Sequence, residues 1–455
     1  MSLDASPDAL RLLSGWGRTA PTAARVRTVS TAEGVVEALR APGNRGVLAR
    51  GLGRSYGDAA QNAGGLVLDM CRLDGRLDLD SDAGTVEVDA GVSLDALLAF
   101  LVPRGWFVGV TPGTRFVTVG GAIASDVHGK NHHVDGSFCQ WVERFTLATP
   151  SGLVEVDPRS NPDVFWATAG GMGLTGVVTR ATLRLISLSS AQMRVRTQRA
   201  ADIDQTLEML AADQHRYSVA WVDLLATGAS TGRSVVSGGD HAEFGGGGLA
   251  DDARRYSPRS RKAVPPVVPA GVLSTSSVRM FNELWFRKAP RDRVALQSLT
   301  AFFHPLDGLT GWNRMYGRRG FVQYQFVVPT GAEEVVREAV AGVSQAQIPA
   351  FLAVLKRLGP QPGMLSFPIA GWTLALDLPT ATPGLAALLD RLDDRVAEAG
   401  GRVYLSKDAR LQRHHLEAMY PALGRWQDVR DRLDPNGTMR SDLDRRLALT
   451  PPRRT

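Results

Sequence analysis

The chain has 455 residues, 44% hydrophobic and 22% charged, with a formal net charge of +6. This exceeds one typical domain and has the composition of a folded globular protein, which excludes a disordered or collagen-like chain. The positive charge reads as an arginine-rich surface, with no nucleic-acid partner expected. The two cysteines, Cys71 and Cys139, lie far apart without metal spacing, which excludes a disulfide framework.

Met1-Ser2-Leu3-Asp4 lacks the basic start and apolar core of a signal peptide. No run of 18 apolar residues follows, so no membrane span is expected. The expected location is cytoplasmic or peripheral to the membrane. Ser30-Thr31-Ala32-Glu33 predicts a helix start with Val35, Val36 and Leu39 on one face. Residues 45–49 predict a buried strand running into Gly51-Leu52-Gly53-Arg54-Ser55-Tyr56-Gly57-Asp58. Residues 66–69 and 85–88 predict short strands, and Ser93-Leu94 opens a helix that stops near Pro103. Glycine turns recur at Pro112-Gly113-Thr114, at Gly120-Gly121 and at 171–176. Strands and helices are thus mixed over the first 190 residues, an α+β pattern.

Residues 238–271 change character. They hold Gly245-Gly246-Gly247-Gly248, Arg254-Arg255, Arg259, Arg261-Lys262 and Pro265-Pro266, the composition of a mobile loop. Its basic stretch 254–262 suits an anionic membrane surface. Strand-like runs return at 321–328 and 372–378. A helix carrying Leu385, Leu388, Leu389, Leu392 and Val396 follows and ends at Gly400-Gly401.

Several glycine turns converging from separate segments point to a large phosphorylated cofactor, because glycine lets backbone N–H groups approach an anion closely. Gly53-Arg54-Ser55-Tyr56-Gly57 has the spacing of a nucleophile elbow, but Asn62-Ala63-Gly64-Gly65 interrupts the helix that must follow one. Gly171-Met172-Gly173-Leu174-Thr175-Gly176 has dinucleotide-fingerprint spacing. The β-branched alternation after it predicts a strand, so the motif reads as a glycine turn between cofactor and strand. His128, His132 and His133 crowd one segment, but Gly129 argues against a helix that would align them, and no metal is expected. Lys130 in that loop reads as a phosphate ligand. Gln323 and Gln325 alternate along a strand and share one face, a pocket wall next to Trp312, Tyr316 and Phe321.

Taken together these motifs resemble the vanillyl-alcohol oxidase type of flavoprotein, and within it the decaprenylphosphoryl-β-D-ribose 2′-oxidase family. The residues that carry the resemblance are 49–58 and 126–133, with His304-Pro305-Leu306-Asp307, Trp312-Asn313-Arg314, Gln323-Tyr324-Gln325-Phe326, Leu365-Ser366-Phe367-Pro368, Ser406-Lys407-Asp408 and Ala418-Met419-Tyr420-Pro421. It implies an α+β, two-domain PCMH-type FAD-binding fold with a substrate domain on an antiparallel sheet. The implied division is 1–190 and 402–455 for FAD and 191–401 for substrate.

The implied FAD-lining residues are Ala49, Arg50, Gly51, Leu52, Gly53, Arg54, Ser55, Tyr56, Gly57, Asp58 and Ala59, with Gly113, Thr118, Val119, Gly120, Gly121, Ser125, Asp126, Val127, His128, Val178 and Tyr404. Many relatives link a histidine covalently to the flavin in the first glycine loop. Arg54 stands at that place, so non-covalent FAD is expected. The implied reaction oxidises the 2′-hydroxyl of a polyprenylphosphoryl ribose to a 2′-ketone, the first half of an epimerisation that supplies cell-wall arabinan. Lys407 is the first choice of base, with Tyr56 and His128 as rivals. The implied substrate residues are Lys130 and Lys356 for the phosphate, Gln323 and Gln325 for the sugar, and Trp221, Phe303 and Leu306 for an apolar entrance. Arg314 and Thr373 join them. A partner short-chain reductase and a peripheral membrane contact complete the implied setting.

The chain departs from the family at Ala375, where relatives commonly carry the cysteine that covalent nitro-aromatic inhibitors attack. Thr373 for asparagine and Phe303 for tyrosine are further departures. Two other readings share the motifs: a soluble alditol or sugar-lactone oxidase, and a non-catalytic flavin- or lipid-binding protein.

Overall fold

The computed structural model describes residues 8–243, 253–258, 262–265, 268 and 273–450. Two sheets form before residue 188. The first has the spatial order Ala9–Leu13, Thr22–Thr28, Leu66–Asp69, Val47–Arg50; its outer pair is antiparallel and the remainder parallel. The two short apolar strands Val47–Arg50 and Leu66–Asp69 are mostly buried, as strands covered on both faces must be. The helix Ala32–Arg40 begins where the sequence predicts. The Thr31 hydroxyl accepts from the Gly34 N–H at 3.1 Å, and Val35, Val36, Ala38 and Leu39 are buried. The helix Leu94–Leu101 is capped in the same way by Ser93 and passes into a short 3₁₀ turn containing Pro103.

The second sheet is antiparallel, in the order Leu77–Asp80, Thr85–Asp89, Val177–Ser187, Val142–Thr149, Gly152–Val156, with Trp106–Val108 pairing the far end of Val177–Ser187. The segment after the 171–176 glycine turn is therefore a central strand, as its alternation requires.

The third sheet has eight strands in the order Asp292–Ser298, Gln192–Ala200, Ser234–His241, Tyr217–Val222, Ala353–Leu358, Gly371–Pro379, Phe321–Pro329, Arg402–Val403. Every pairing in it is antiparallel. The fold is thus α+β. One face of this sheet is covered by the helices Glu333–Gln345 and Leu385–Glu398. They bury Val335, Val336, Ala339, Val340 and Val343, and Leu385, Leu388, Leu389, Leu392 and Val396, against Tyr324, Phe326, Val328, Leu374 and Leu376. The other face holds Gln323, Gln325 and Lys356.

The loop expected over 238–271 starts later than predicted. Residues 238–241 complete the strand Ser234–His241, registered against Met193 to Arg196, because a neighbouring strand satisfies backbone that glycine-rich composition alone reads as loop. Lys262–Ala263 pairs in parallel with Leu309–Thr310. Gly245 to Gly248, Arg259, Arg261 and Pro266 lie outside the described residues. Among the described residues, no helix is long and apolar enough to cross a membrane.

Candidate active site

Strand register assembles one wall of the site. Side chains alternate along a strand, and residues paired across an antiparallel ladder share a face. Gln323 pairs with Asp377, Gln325 with Ala375, and Val327 with Thr373. Across the next strand Lys356 pairs with Thr373 and Val354 with Ala375, and Trp221 then pairs with Val354. All of these side chains lie on the face opposite the helices, and Gln323, Gln325, Ala375, Val354, Lys356 and Trp221 front a cavity of 760 Å³ whose far wall comes from the glycine loops of the first 190 residues.

Those loops are held by the C-terminal segment. Tyr56 N–H donates to Ser406 O at 3.0 Å, and Tyr404 O–H donates to Ser125 O at 2.8 Å. Gly57 packs so closely that a Cβ there would lie 1.9 Å from Asp408 O. Arg446 clamps the assembly, donating to both Asp58 oxygens at 2.8 Å and to Asp408 at 2.7 Å. The loop 302–307 is pinned from the other side. Thr111 Oγ1 bonds His304 Nε2 at 2.8 Å, and Asp307 accepts from Thr114 Oγ1 at 2.7 Å and from Arg115 N–H at 2.8 Å.

Burial sets the electrostatics. It pulls Lys130 down from 10.5 to about 7, and pulls Lys356 to about 7 with help from the charges of Lys130 and Lys407. Burial likewise lowers Lys407, against the opposing pull of Asp377, and raises Asp377. The Tyr56 hydroxyl is driven well above 10 by burial and then by Asp377, so it keeps its proton. His128 falls well below 6.5 through burial and then the Lys356 charge, and stays neutral. Gln325 donates an Nε2–H to His128 Nε2 at 2.9 Å and to Thr373 Oγ1 at 3.1 Å, while His128 Nδ1 meets Lys356 Nζ at 3.0 Å. With Nε2 accepting, Nδ1 carries the imidazole hydrogen and donates to Lys356 when that amine is neutral; a charged Lys356 instead donates to Nδ1, with the Gln325 amide turned so that its oxygen accepts from Nε2–H. Lys407 Nζ sits 3.9 Å from the centre of the Tyr56 ring. Gln323 donates to Asp377 Oδ1 at 2.5 Å, while Asp377 Oδ2 is buried without a hydrogen-bond partner.

The wall suits a dinucleotide and a phosphorylated ligand. Gly113 and Gly173 have no atom within 4 Å of a Cβ position, so their backbone faces open space, and Gly53 takes a φ of +64° that disfavours any side chain. Among the described residues the lining carries five basic side chains, Arg50, Arg54, Lys130, Lys356 and Lys407, against the single carboxylate of Asp307. This excess of partly buried basic groups favours an anionic ligand. The mouth is apolar, formed by Trp221, Phe281, Trp285, Leu306 and Phe351.

Most of the residues expected around FAD line this cavity, but Gly57, Asp58, Val119 and Asp126 do not. Gly57 is backed onto Asp408 and Asp58 is engaged by Arg446. Val119 is fully buried in the helix Val119–Ala124. Asp126 turns inward at a φ of +39° to accept from Cys139 N–H, Gln361 Nε2 and Ser366 Oγ. Of the substrate residues, Arg314 and Thr373 stand back from the lining. Arg314 donates to Val264 O at 2.9 Å, and Thr373 supports Gln325 from behind.

A helical turn does form at His132–Asp135, yet it does not gather the histidines. His132 bonds Ser137 Oγ and Gly359 N–H, and His133 bonds His215 O. Sequence reasoning missed Trp16, whose ring lies 3.9 Å from the Arg54 guanidinium, and the mouth residues Phe281, Trp285 and Phe351. The four-residue spacing of Phe281 and Trp285 was the available signal. Both cysteines are free, Cys139 being buried.

Residues 23–157 match the FAD binding domain family, and residues 380–447 match the D-arabinono-1,4-lactone oxidase family. The chain is 42% identical to the decaprenylphosphoryl-β-D-ribose oxidase of Mycolicibacterium smegmatis over 99% of this chain and all of that protein. It is 41% identical to an uncharacterised protein of Streptomyces coelicolor, over 79% of this chain and all of that one. A D-arabinono-1,4-lactone oxidase of Eremothecium gossypii is 31% identical over 33% of this chain and 29% of its own.

Proposed function

Because the chain belongs to the decaprenylphosphoryl-β-D-ribose oxidase family, we propose that it oxidises the 2′-hydroxyl of decaprenylphosphoryl-β-D-ribose to the 2′-ketone, with FAD as cofactor. The observation that carries this reading is one cavity holding a glycine-lined wall, three half-buried lysines with lowered pKa and an apolar mouth. These match a dinucleotide, a sugar phosphate and a polyprenyl chain in turn.

When bound, FAD supplies the acceptor for the hydride that leaves C2 of the ribose. Residues 1–190 and 402–455 form the FAD half and 191–401 the substrate half. Gly51, Gly53, Gly113, Gly120 and Gly121 present backbone to the pyrophosphate. The flavin is held without a covalent bond, since the Arg54 guanidinium offers no ring nitrogen to link. Lys407 takes the 2′-hydroxyl proton onto Nζ as C2 loses its hydride and the carbonyl forms, and burial prepares it by favouring the neutral amine. Tyr56 keeps its proton and so serves as a donor beside Lys407. His128 is kept neutral and relays hydrogen bonds between Gln325 and Lys356. Gln323 and Gln325 orient the sugar hydroxyls, Lys130 and Lys356 hold the phosphate as point charges, and Trp221, Phe303 and Leu306 bound the start of the lipid.

The 2′-ketone is the substrate a partner short-chain reductase would return as the epimeric alcohol, giving decaprenylphosphoryl arabinose. The polyprenyl tail places the protein at a membrane surface. Anaerobic bleaching of the holoenzyme by farnesyl-phosphoryl ribose, with no bleaching by xylitol or gulonolactone, is the expected result. The opposite selectivity would replace this reading with a soluble sugar-lactone or alditol oxidase. Acid or heat should release the flavin; flavin left on the precipitated chain would contradict the non-covalent assignment.

A further inference from the structure

The helix Thr275–Lys288 is well formed yet turns an apolar face outward. Ser274 and Ser277 close a capping box at its start. Its inner face buries Val278 and Asn282, and Asn282 Nδ2 donates to Asp223 Oδ1 at 2.7 Å. On the outer face Met280 is 63% exposed, Phe281 45%, Leu284 61% and Trp285 47%. The spacing i, i+1, i+4, i+5 places these four on one stripe. A contiguous exposed run of Met, Phe, Leu and Trp marks an interaction surface.

Two observations say what covers it. The stripe is continuous with the cavity mouth: Phe281 stacks on Trp285 at 6.1 Å and meets Phe351 edge-on at 6.3 Å, while Trp285 meets Trp221 at 6.5 Å, and all four line the cavity. The stripe is also flanked by cations. Arg279, Arg287 and Lys288 on the helix and Arg291 and Arg293 just after it are exposed, against Glu283 on the helix and Asp292 after it. An apolar face with a tryptophan and a basic border is the pattern of a helix lying in a lipid interface.

We propose that the helix Thr275–Lys288 docks flat on an anionic lipid surface and passes the polyprenyl chain of the substrate from that surface, between Phe281, Trp285 and Phe351, into the cavity. The proposal rests on the polyprenyl-phosphate reading above. Phe281 and Trp285 shield the emerging tail from water, Met280 and Leu284 contact the lipid alone, and the flanking cations attract the headgroups and orient the mouth toward them.

The test is co-sedimentation of the holoenzyme with substrate-free vesicles of phosphatidylcholine containing phosphatidylglycerol. The native protein should sediment with them, less so as salt rises. Met280→Ser with Leu284→Ser, two residues outside the cavity lining, should weaken vesicle binding at least about tenfold. Bound flavin and its reduction by soluble farnesyl-phosphoryl ribose should stay unchanged, which also reports correct folding. Lys288→Glu with Arg291→Glu leaves the stripe intact and should likewise abolish binding to the anionic vesicles. The proposal is overturned if the native protein stays in the supernatant, if either double variant sediments like the native protein, or if the native protein is a dimer that the Met280/Leu284 substitutions dissociate. Because the vesicles carry no substrate, failure here is separate from failure of the reduction assay.

Discussion

Replacing Lys407 by Met removes the group proposed to accept the substrate's hydroxyl proton while keeping the length of the side chain. Positioned general-base catalysis contributes roughly 10²–10⁴-fold, which is about 3–5 kcal/mol of barrier. The structure points to the upper part of that range, because Tyr56 is held protonated and His128 is already engaged by Gln325 and Lys356. The effects on stability oppose each other. The ammonium–ring contact with Tyr56 is lost, about 0.5–2 kcal/mol, while the cost of holding a partly desolvated charge disappears. The variant should therefore fold and keep its flavin. The assay is anaerobic stopped-flow reduction of the bound flavin across pH. Since burial lowers Lys407 below 10.5, the native rate should climb with pH as the ammonium loses its proton and level off well before 10.5. The variant should be slow and lack that limb, with substrate affinity nearly unchanged. A Lys407→Met protein that is reduced at the native rate, or with the same pH limb, would refute the base assignment.

The proposed phosphate ligands give a second pH signature. Lys130 and Lys356 sit near 7 in the free protein, and a bound phosphate favours their ammonium forms. Affinity for farnesyl phosphate should then fall as pH rises above about 7, and Lys356→Met should bind more weakly with a shallower slope; calorimetry checks both. Gly57→Ala drives a methyl to within 1.9 Å of Asp408 O, so the segment carrying Tyr404, Ser406 and Lys407 must shift. Overpacking against backbone costs about 1–3 kcal/mol, read as an earlier melt and flavin release; native melting would contradict the packing. Ala375 lines the cavity beside Gln325. Ala375→Cys should acquire a covalent nitro-aromatic adduct by mass spectrometry that the native protein lacks.

Much of the site was legible because its logic is local. The period of two put Gln323 and Gln325 on one face, and β-branched alternation after Gly176 ruled out a nucleotide-binding helix. Direction was not legible. Asp58 and Asp126 sit inside glycine motifs that touch the cavity, yet their carboxylates face Arg446 and Ser366, partners more than 200 residues away in sequence. Nor does a sequence say that Lys130, Lys356 and Lys407 converge. Each is an isolated cation until the loop after Val119–Ala124, the eight-stranded sheet and a C-terminal return bring them to one cavity. Trp16 and the mouth aromatics were missed for the same reason: their neighbours are supplied by topology, not by spacing.

The central claim is that the bond broken is the one between C2 of the ribosyl ring and its hydrogen. Farnesyl-phosphoryl ribose deuterated at C2 should reduce the bound flavin more slowly than the unlabelled compound, while the same label at C3 should have no such effect. Equal rates with and without the C2 label, or slowing only by the C3 label, would contradict the account.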